Sequence, residues 1–263
     1  MDVNKMNAWT VFGLGWLGLV VIFTAVWAVQ LKTRNAGIVD AVWAWTLGAL
    51  GPWFALNSTA PIEVRWLIGI MPLVWGLRLG TYLWFRNHGH AEDGRYAQLR
   101  KEWGDAQNLR MWSFFQVQVV FSMLIALGLA VASQRTDAPA PVWLWLSVVL
   151  WVVSIAGEAL ADRQLAAFKA NPANKGRVCK QGLWKYSRHP NYFFECVHWV
   201  AYVPLALGAP WGFLSLIPPA VMAFLLLKMS GIPATEAQAA RTRPEYAEYI
   251  RTTSAFIPWF PKS

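Results

Sequence analysis

Seven apolar stretches, at roughly 8–31, 38–57, 65–85, 112–133, 141–161, 191–208 and 210–229, dominate this chain of 263 residues. Each is close to the about 20 residues an α-helix needs to cross the hydrocarbon core of a bilayer. A soluble domain has no use for seven such runs, and a composition of 56% hydrophobic against 14% charged residues, with 18 Trp, agrees. The first run is too long, and too poor in a small-residue cleavage site, to be a removable signal peptide. No repeat, low-complexity tract or long linker interrupts the chain. The expectation is therefore all-α: one polytopic membrane domain over residues 1–263, with about seven transmembrane helices and a tail over 231–263.

The net charge of +9 is distributed in a way that excludes a nucleic-acid binder. Counted on alternate sides of the spans, one side carries only Lys5, Arg65 and Arg135, and the other carries 19 of the 23 Lys and Arg residues. Arg78 lies within a span. Positive charge stays cytoplasmic, which predicts an outer N-terminus and a cytoplasmic C-terminus. Cys179 and Cys196 form neither a disulfide framework nor a metal-ligand spacing. His88 and His90 share a polar loop without partners at metal-ligand spacing, so no metal site is expected.

Ionisable residues inside spans are expensive and face a bundle interior or a wet cavity. Here they are Asp40, Arg78, Glu158, Asp162, Glu195 and His198. The predicted orientation puts all six in the inner half of the membrane, with Arg78 roughly 12 Å from the cytoplasmic exit of its span. Glu158 and Asp162, at i and i+4, share a helix face. Duller readings stand beside the functional one. Arg78 and Asp40 suit a helix-to-helix ion pair, Asp162 a solvated position just past a helix end, and His198 a satisfied packing histidine. Gly76 and Gly80 have the GxxxG spacing of close helix packing.

Between the fifth and sixth spans runs "DRQLAAFKANPANKGRVCKQGLWKYSRHPNY", with seven basic residues and one acid. Anionic headgroups account for the charge, but not for the interleaved Tyr186, His189, Asn191 and Glu195. Arg and Lys suit phosphates, while a nucleoside asks for stacking surfaces and for amide and carboxylate partners. Arg188, His189, Asn191, Tyr192 and Glu195 crowd the entrance to the sixth span, where a polar cofactor would meet a lipid-dissolved substrate. Neither GxGxxG nor GxxxxGK[ST] is present, which excludes Rossmann and P-loop modes of binding.

"GLWKYSRHPNYFFE" and "GEALADRQLAAFK" resemble the membrane steroid 5α-reductase superfamily, and more closely its bacterial DUF1295 branch. "WGLRLGTYLWFR" and the ending "SGIPATEAQAARTRPEYAEYIRTTSAFIPWFPK" are similar to that branch as well. The His-Pro-Asn-Tyr element alone is shared with isoprenylcysteine and phospholipid methyltransferases, whereas the Ala-Asp-x-Gln segment at 161–164 favours the reductases. The resemblance implies a seven-helix fold that binds NADP(H) from the cytosol between its last helices. It implies cofactor contacts at Asp162, Lys169, Arg177, Tyr186, Asn191 and Glu195, and Glu158 stands where those reductases tend to have Asn. Arg78 and Tyr82 match an Arg-x-x-x-Tyr pair of their third helix. The steroid enzymes polarise a 3-oxo group with a Gln-Glu pair and a Tyr. This chain has "IVDAVWAW" at 38–45 and Trp75 instead, leaving Asp40 or Tyr82 to supply the acid or hydroxyl.

The function so implied is NADPH-dependent reduction of a carbon–carbon double bond in a lipophilic molecule drawn from the bilayer of a bacterial inner membrane, with the cofactor site facing the cytoplasm. Asp40, Arg78 and Tyr82 are the catalytic candidates. An S-adenosylmethionine-dependent methyltransferase of a lipid or isoprenoid is one alternative, and a non-enzymatic lipid-binding or transport protein is another. In the tail, Glu236, Arg241, Arg243, Tyr246 and Tyr249 are spaced for one short amphipathic helix on the inner surface. The resembling proteins close this region over the cofactor, which adds Glu236 and Tyr249 to the cofactor-binding candidates.

Overall fold

The computed structural model describes residues 6–229 and 231–262. All regular structure among them is helical: α1 Ala8–Thr33, α2 Ile38–Leu56, α3 Ile62–Asn87, α4 Gly94–Trp103, α5 Gln107–Ala132, α6 Pro141–Ala170, α7 Pro190–Val200, α8 Val203–Ala206, α9 Ile217–Phe224, α10 Ile232–Thr242 and α11 Tyr246–Thr252. A π-helical turn, Leu225–Met229, follows α9. Among the described residues, five stretches are long and apolar enough to cross a membrane: Ala8–Thr33, Ile62–Asn87, Gly94–Ala132, Pro141–Ala170 and Gly212–Thr242. Their outward faces carry Leu17, Val21, Leu77, Val149 and Val152, each at least half exposed. Water would not tolerate so much apolar surface, and lipid does. The protein is an integral membrane protein.

The chain divides into two compact units, residues 1–140 with 205–215, and residues 141–204 with 216–263. In the first, α2 and α3 make the closest helix pair. A Cβ on Gly76 would lie 2.6 Å from the Ala44 carbonyl oxygen and 2.8 Å from Gly48 Cα, and one on Gly80 would enter the Trp45 ring. The GxxxG spacing therefore does what its packing reading predicts. Phe23, Leu47, Phe54, Ile68, Trp75, Met111 and Phe115 fill the core of this unit. Trp112 Nε1 and Gln116 Nε2 both donate to Thr24 Oγ1, tying α5 to α1.

In the second unit α6 packs on α7, and Gly157 makes room for the Phe194 ring. Helix α7 ends after 11 residues, and α8 holds only four with Pro204 among them. The sixth expected span, 191–208, is thus a broken element, because a proline lacks the N–H that would continue the ladder.

Other expectations change as well. Helix α6 runs nine residues past the expected exit at 161, so Asp162 lies within a helix and not beyond its end. The tail forms two helices instead of one, since α10 stops before Arg243-Pro244. Arg135, counted as a loop charge, is buried: Nε donates to the Asp137 carbonyl, and Nη1 donates to the carbonyls of Leu205 and Leu207. Lys5 lies outside the described residues.

Candidate functional site

In the second unit the site grows from the C-terminal end of α6 and the loop that follows. Asn174 Nδ2 donates to the Phe168 carbonyl at 2.8 Å and so caps one of the last open carbonyls of α6. Asn171 Oδ1 accepts from Ala173 N, and Gly176 turns the chain at φ +79°, a conformation that favours glycine. The result is a pocket of about 320 Å³ lined by Lys169, Lys175, Arg177, Arg243, Cys179 and the Asn171–Asn174 turn. Four cationic side chains line it and no carboxylate does, a donor set that suits phosphate oxygens. Burial pushes the Cys179 thiol above its ordinary value, so it stands there as a neutral thiol.

Lys169 and Asp162 are seven residues apart, two helical turns and roughly 10 Å along one face of α6. Asp162 Oδ1 accepts from Asn191 Nδ2 at 3.3 Å, while Asn191 Oδ1 is buried with no hydrogen-bond partner among the described residues. An unmatched buried carbonyl oxygen is costly and awaits a donor. Glu158, one turn before Asp162, is buried, as is Glu195, whose Oε1 accepts from Trp199 Nε1 at 3.0 Å. The amide and the carboxylates thus lie on α6 and its partner α7, and the cationic pocket forms where the end of α6 meets the following loop and Arg243 of the tail.

The remaining expected contacts engage partners within the protein. Arg188 Nε donates to Glu236 Oε1 at 2.7 Å, and Nη1 donates to the Thr253 and Ile250 carbonyls at 2.5 and 3.0 Å. His189 Nε2 meets the same Glu236 oxygen at 3.1 Å, and its ring stacks on Tyr192. Burial holds His189 below the ordinary imidazole value, although Glu236 pulls the other way. Tyr249 OH bonds the carbonyls of Trp184 and Ser187, and burial raises its phenol far above the ordinary value. Tyr186 packs edge-on against Phe260. Arg188, Glu236, His189 and Tyr249 therefore fasten the loop before α7 to the tail, and their polar atoms are largely taken. His198 Nε2 meets Tyr202 OH at 3.1 Å, which suits a packing role.

The catalytic candidates belong to the first unit. Asp40 does not serve Arg78: its Oδ1 accepts from Tyr96 OH at 2.5 Å and its Oδ2 from Arg95 Nη2 at 3.0 Å. Both partners come from α4, a helix with no counterpart among the seven expected spans. Asp93 caps α4 by accepting from Arg95 N. Burial alone would raise the Asp93 carboxyl, but the hydrogen bonds and charge of Arg95 hold it below its ordinary range. Arg78 is half-buried on α3. Tyr82, one turn later, is 39% exposed with Arg86 over its ring, so it is the more accessible of the two. No group of three or more His, Cys, Asp or Glu residues among the described residues is arranged to hold a metal ion.

Reading the sequence alone missed Lys175 and Arg243 as pocket residues. The Lys-Gly-Arg run at 175–177 was the available signal for the first. The place of Arg243 depends on tertiary packing.

The chain matches the family model described as "Protein of unknown function (DUF1295)" over residues 26–253. It is similar to "Uncharacterized protein C594.04c" of Schizosaccharomyces pombe, 23% identical over 280 residues that cover 94% of this chain and 79% of that protein. No solved structure matches. The family match takes in every helix from α2 to the end of α11, together with the cationic loop and the His-Pro-Asn-Tyr element, and the chain belongs to the DUF1295 family.

Proposed function

We propose that this protein is an NADPH-dependent reductase of a carbon–carbon double bond in a lipophilic substrate, set in a bacterial inner membrane with its cofactor site on the cytoplasmic side. The observation that carries the reading is the pocket formed by Lys169, Lys175, Arg177 and Arg243, which has four cations and no acid in its lining. The 19-to-3 imbalance of basic residues supports a cytoplasmic side for it. The residues fit a phosphorylated dinucleotide. Cations engage its phosphates, and Asn191, with an unmatched carbonyl oxygen, and Asp162 engage amide or hydroxyl groups about two helical turns away. A sulfonium cofactor has no phosphate for those four cations to meet, which weighs against the methyltransferase alternative.

The cofactor, when bound, supplies hydride to the electron-poor carbon of a polarised double bond. The protein's part is positioning and electrostatics. Arg177 and Arg243 neutralise anionic charge at the mouth of the loop, and Lys169 does so at the end of α6. Asn191 orients an amide through its free oxygen, and Asp162 fixes the Asn191 side chain. The reading keeps Arg78 and Tyr82 as the groups that polarise the substrate, in the manner of an oxyanion site. It gives Asp40 the task of holding α4.

The test is thermal denaturation of the purified protein in detergent, since a ligand that binds the native state raises the melting point. NADPH should raise it, NADH less so, and S-adenosylmethionine not at all. Stabilisation by S-adenosylmethionine alone would overturn the reading in favour of methyl transfer, and silence from all three would favour a non-enzymatic role.

A further inference from the structure

After α11 the chain does not trail away. Ser254 O accepts from Arg188 N at 2.8 Å, Phe256 O accepts from Ser187 Oγ at 2.9 Å, Trp259 N donates to Tyr186 O at 2.9 Å, and Lys262 N donates to Thr252 O at 2.8 Å. These bonds strap residues 254–262 across the loop that precedes α7. A strap this well fixed holds out three large apolar side chains: Ile257 is 60% exposed, Trp259 67% and Phe260 73%. Phe260 and Tyr186 pack edge to face, with centroids 6.0 Å apart, so the patch is continuous with the loop. Cations rim it. Lys185 Nζ lies 5.9 Å from the centroid of the Tyr186 ring, Lys262 is exposed within the strap itself, and Arg251 is exposed on the last turn of α11, next in sequence to Thr252, whose carbonyl accepts from Lys262 N.

A rigid Trp-Phe pair pinned open to water gains nothing, whereas Trp and aromatic side chains are favoured at the headgroup level of a bilayer. The chain is an integral membrane protein, so a bilayer is always at hand. The cationic rim complements anionic headgroups, each basic residue near the surface adding to the attraction. Two copies of this patch brought together would set like charges against each other, which argues against a second copy as the occupant.

We infer that the 254–262 strap is an interfacial anchor, with Ile257, Trp259 and Phe260 inserted among the headgroups of an anionic leaflet while Lys185, Arg251 and Lys262 meet lipid phosphates. Because the same strap is hydrogen-bonded to Tyr186, Ser187 and Arg188, the bilayer surface thereby braces the loop that leads into α7.

Site-directed spin labelling tests it on the full-length protein in lipid nanodiscs. Cys179 and Cys196 are buried, and their background is measured on the unsubstituted protein. Labels are placed by Phe260→Cys and, separately, by Ile257→Cys, both at exposed positions where folding is not at stake. Each label should collide more with oxygen than with a water-soluble nickel chelate in discs containing anionic lipid. In purely zwitterionic discs the balance should move toward the nickel chelate. Nickel-dominated accessibility at both sites in anionic discs overturns the anchor, because the strap then lies in water. An unchanged balance between the two lipids overturns the headgroup recognition. Spin–spin broadening at position 260 overturns the choice of occupant, since a second copy would then cover the patch.

Discussion

Arg188 Nε donates to Glu236 Oε1 at 2.7 Å, joining the loop ahead of α7 to α10, and the two side chains are only 9% and 18% exposed. Removing one partner of a buried pair leaves an uncompensated charge, which costs about 3–5 kcal/mol. Glu236→Ala should therefore lower the melting point of the purified protein clearly. Arg188→Ala should do at least as much, because it also abandons the Ile250 and Thr253 carbonyls. Thermal unfolding in detergent measures both. Unchanged stability in either variant would show that the strut is not needed.

The same carboxylate touches His189, and there pH enters. Burial holds the folded His189 below 6.5 against the opposing pull of Glu236, with Arg188 pushing the same way as burial. The unfolded imidazole therefore takes up a proton at a higher pH than the folded one does. Stability is then complete above pH 6.5 and declines as pH falls below it, toward the lower folded value. His189→Gln should flatten the dependence of melting point on pH just below 6.5. An identical slope in the variant would assign that dependence to other groups.

The α2–α3 contact leaves no space for a methyl group. Gly76→Ala would place a Cβ 2.6 Å from the Ala44 carbonyl oxygen, and overpacking of this kind costs about 1–3 kcal/mol. Gly18→Ala on α1 meets nothing within 4 Å and should be neutral or slightly stabilising. The two melting points, compared side by side, separate a packing glycine from a permissive one.

Asp40 is the anchor of α4. Tyr96→Phe removes a hydrogen bond to a charged group, worth about 1.5–3 kcal/mol. The local effect should be faster proteolytic cleavage within residues 88–106, with little change at other sites. Cleavage at the parent rate would mean that Arg95 and the Glu92–Arg100 pair suffice to hold the helix.

Much of this architecture was legible in the sequence, because apolar length is a strong signal. Helices α1, α3, α5 and α6 coincide with expected spans, and the GxxxG spacing marked the tight α2–α3 face. What escaped notice was polar or short. Helix α6 continues through Asp162, Arg163 and Gln164, where a hydrophobic run ends but an amphipathic helix need not. Helix α4 has ten residues and a polar surface, and only its Asp93 N-cap announced it. At the site, the basic residues Lys169 and Arg177 were legible as a class. That Arg188 would spend its donors on tail carbonyls depends on contacts more than 60 residues away in sequence, which no local pattern encodes.

The measurement closest to the central claim is a calorimetric titration of the purified protein with NADPH and with NADH, repeated for Arg177→Ala, Arg243→Ala and Asn191→Ala. NADPH should bind more tightly than NADH, each arginine variant should lose at least about tenfold in affinity, equivalent to about 1.4 kcal/mol, and Asn191→Ala should show no detectable binding. Equal affinity for the two nucleotides in all four proteins, or binding by none of them, would contradict that claim.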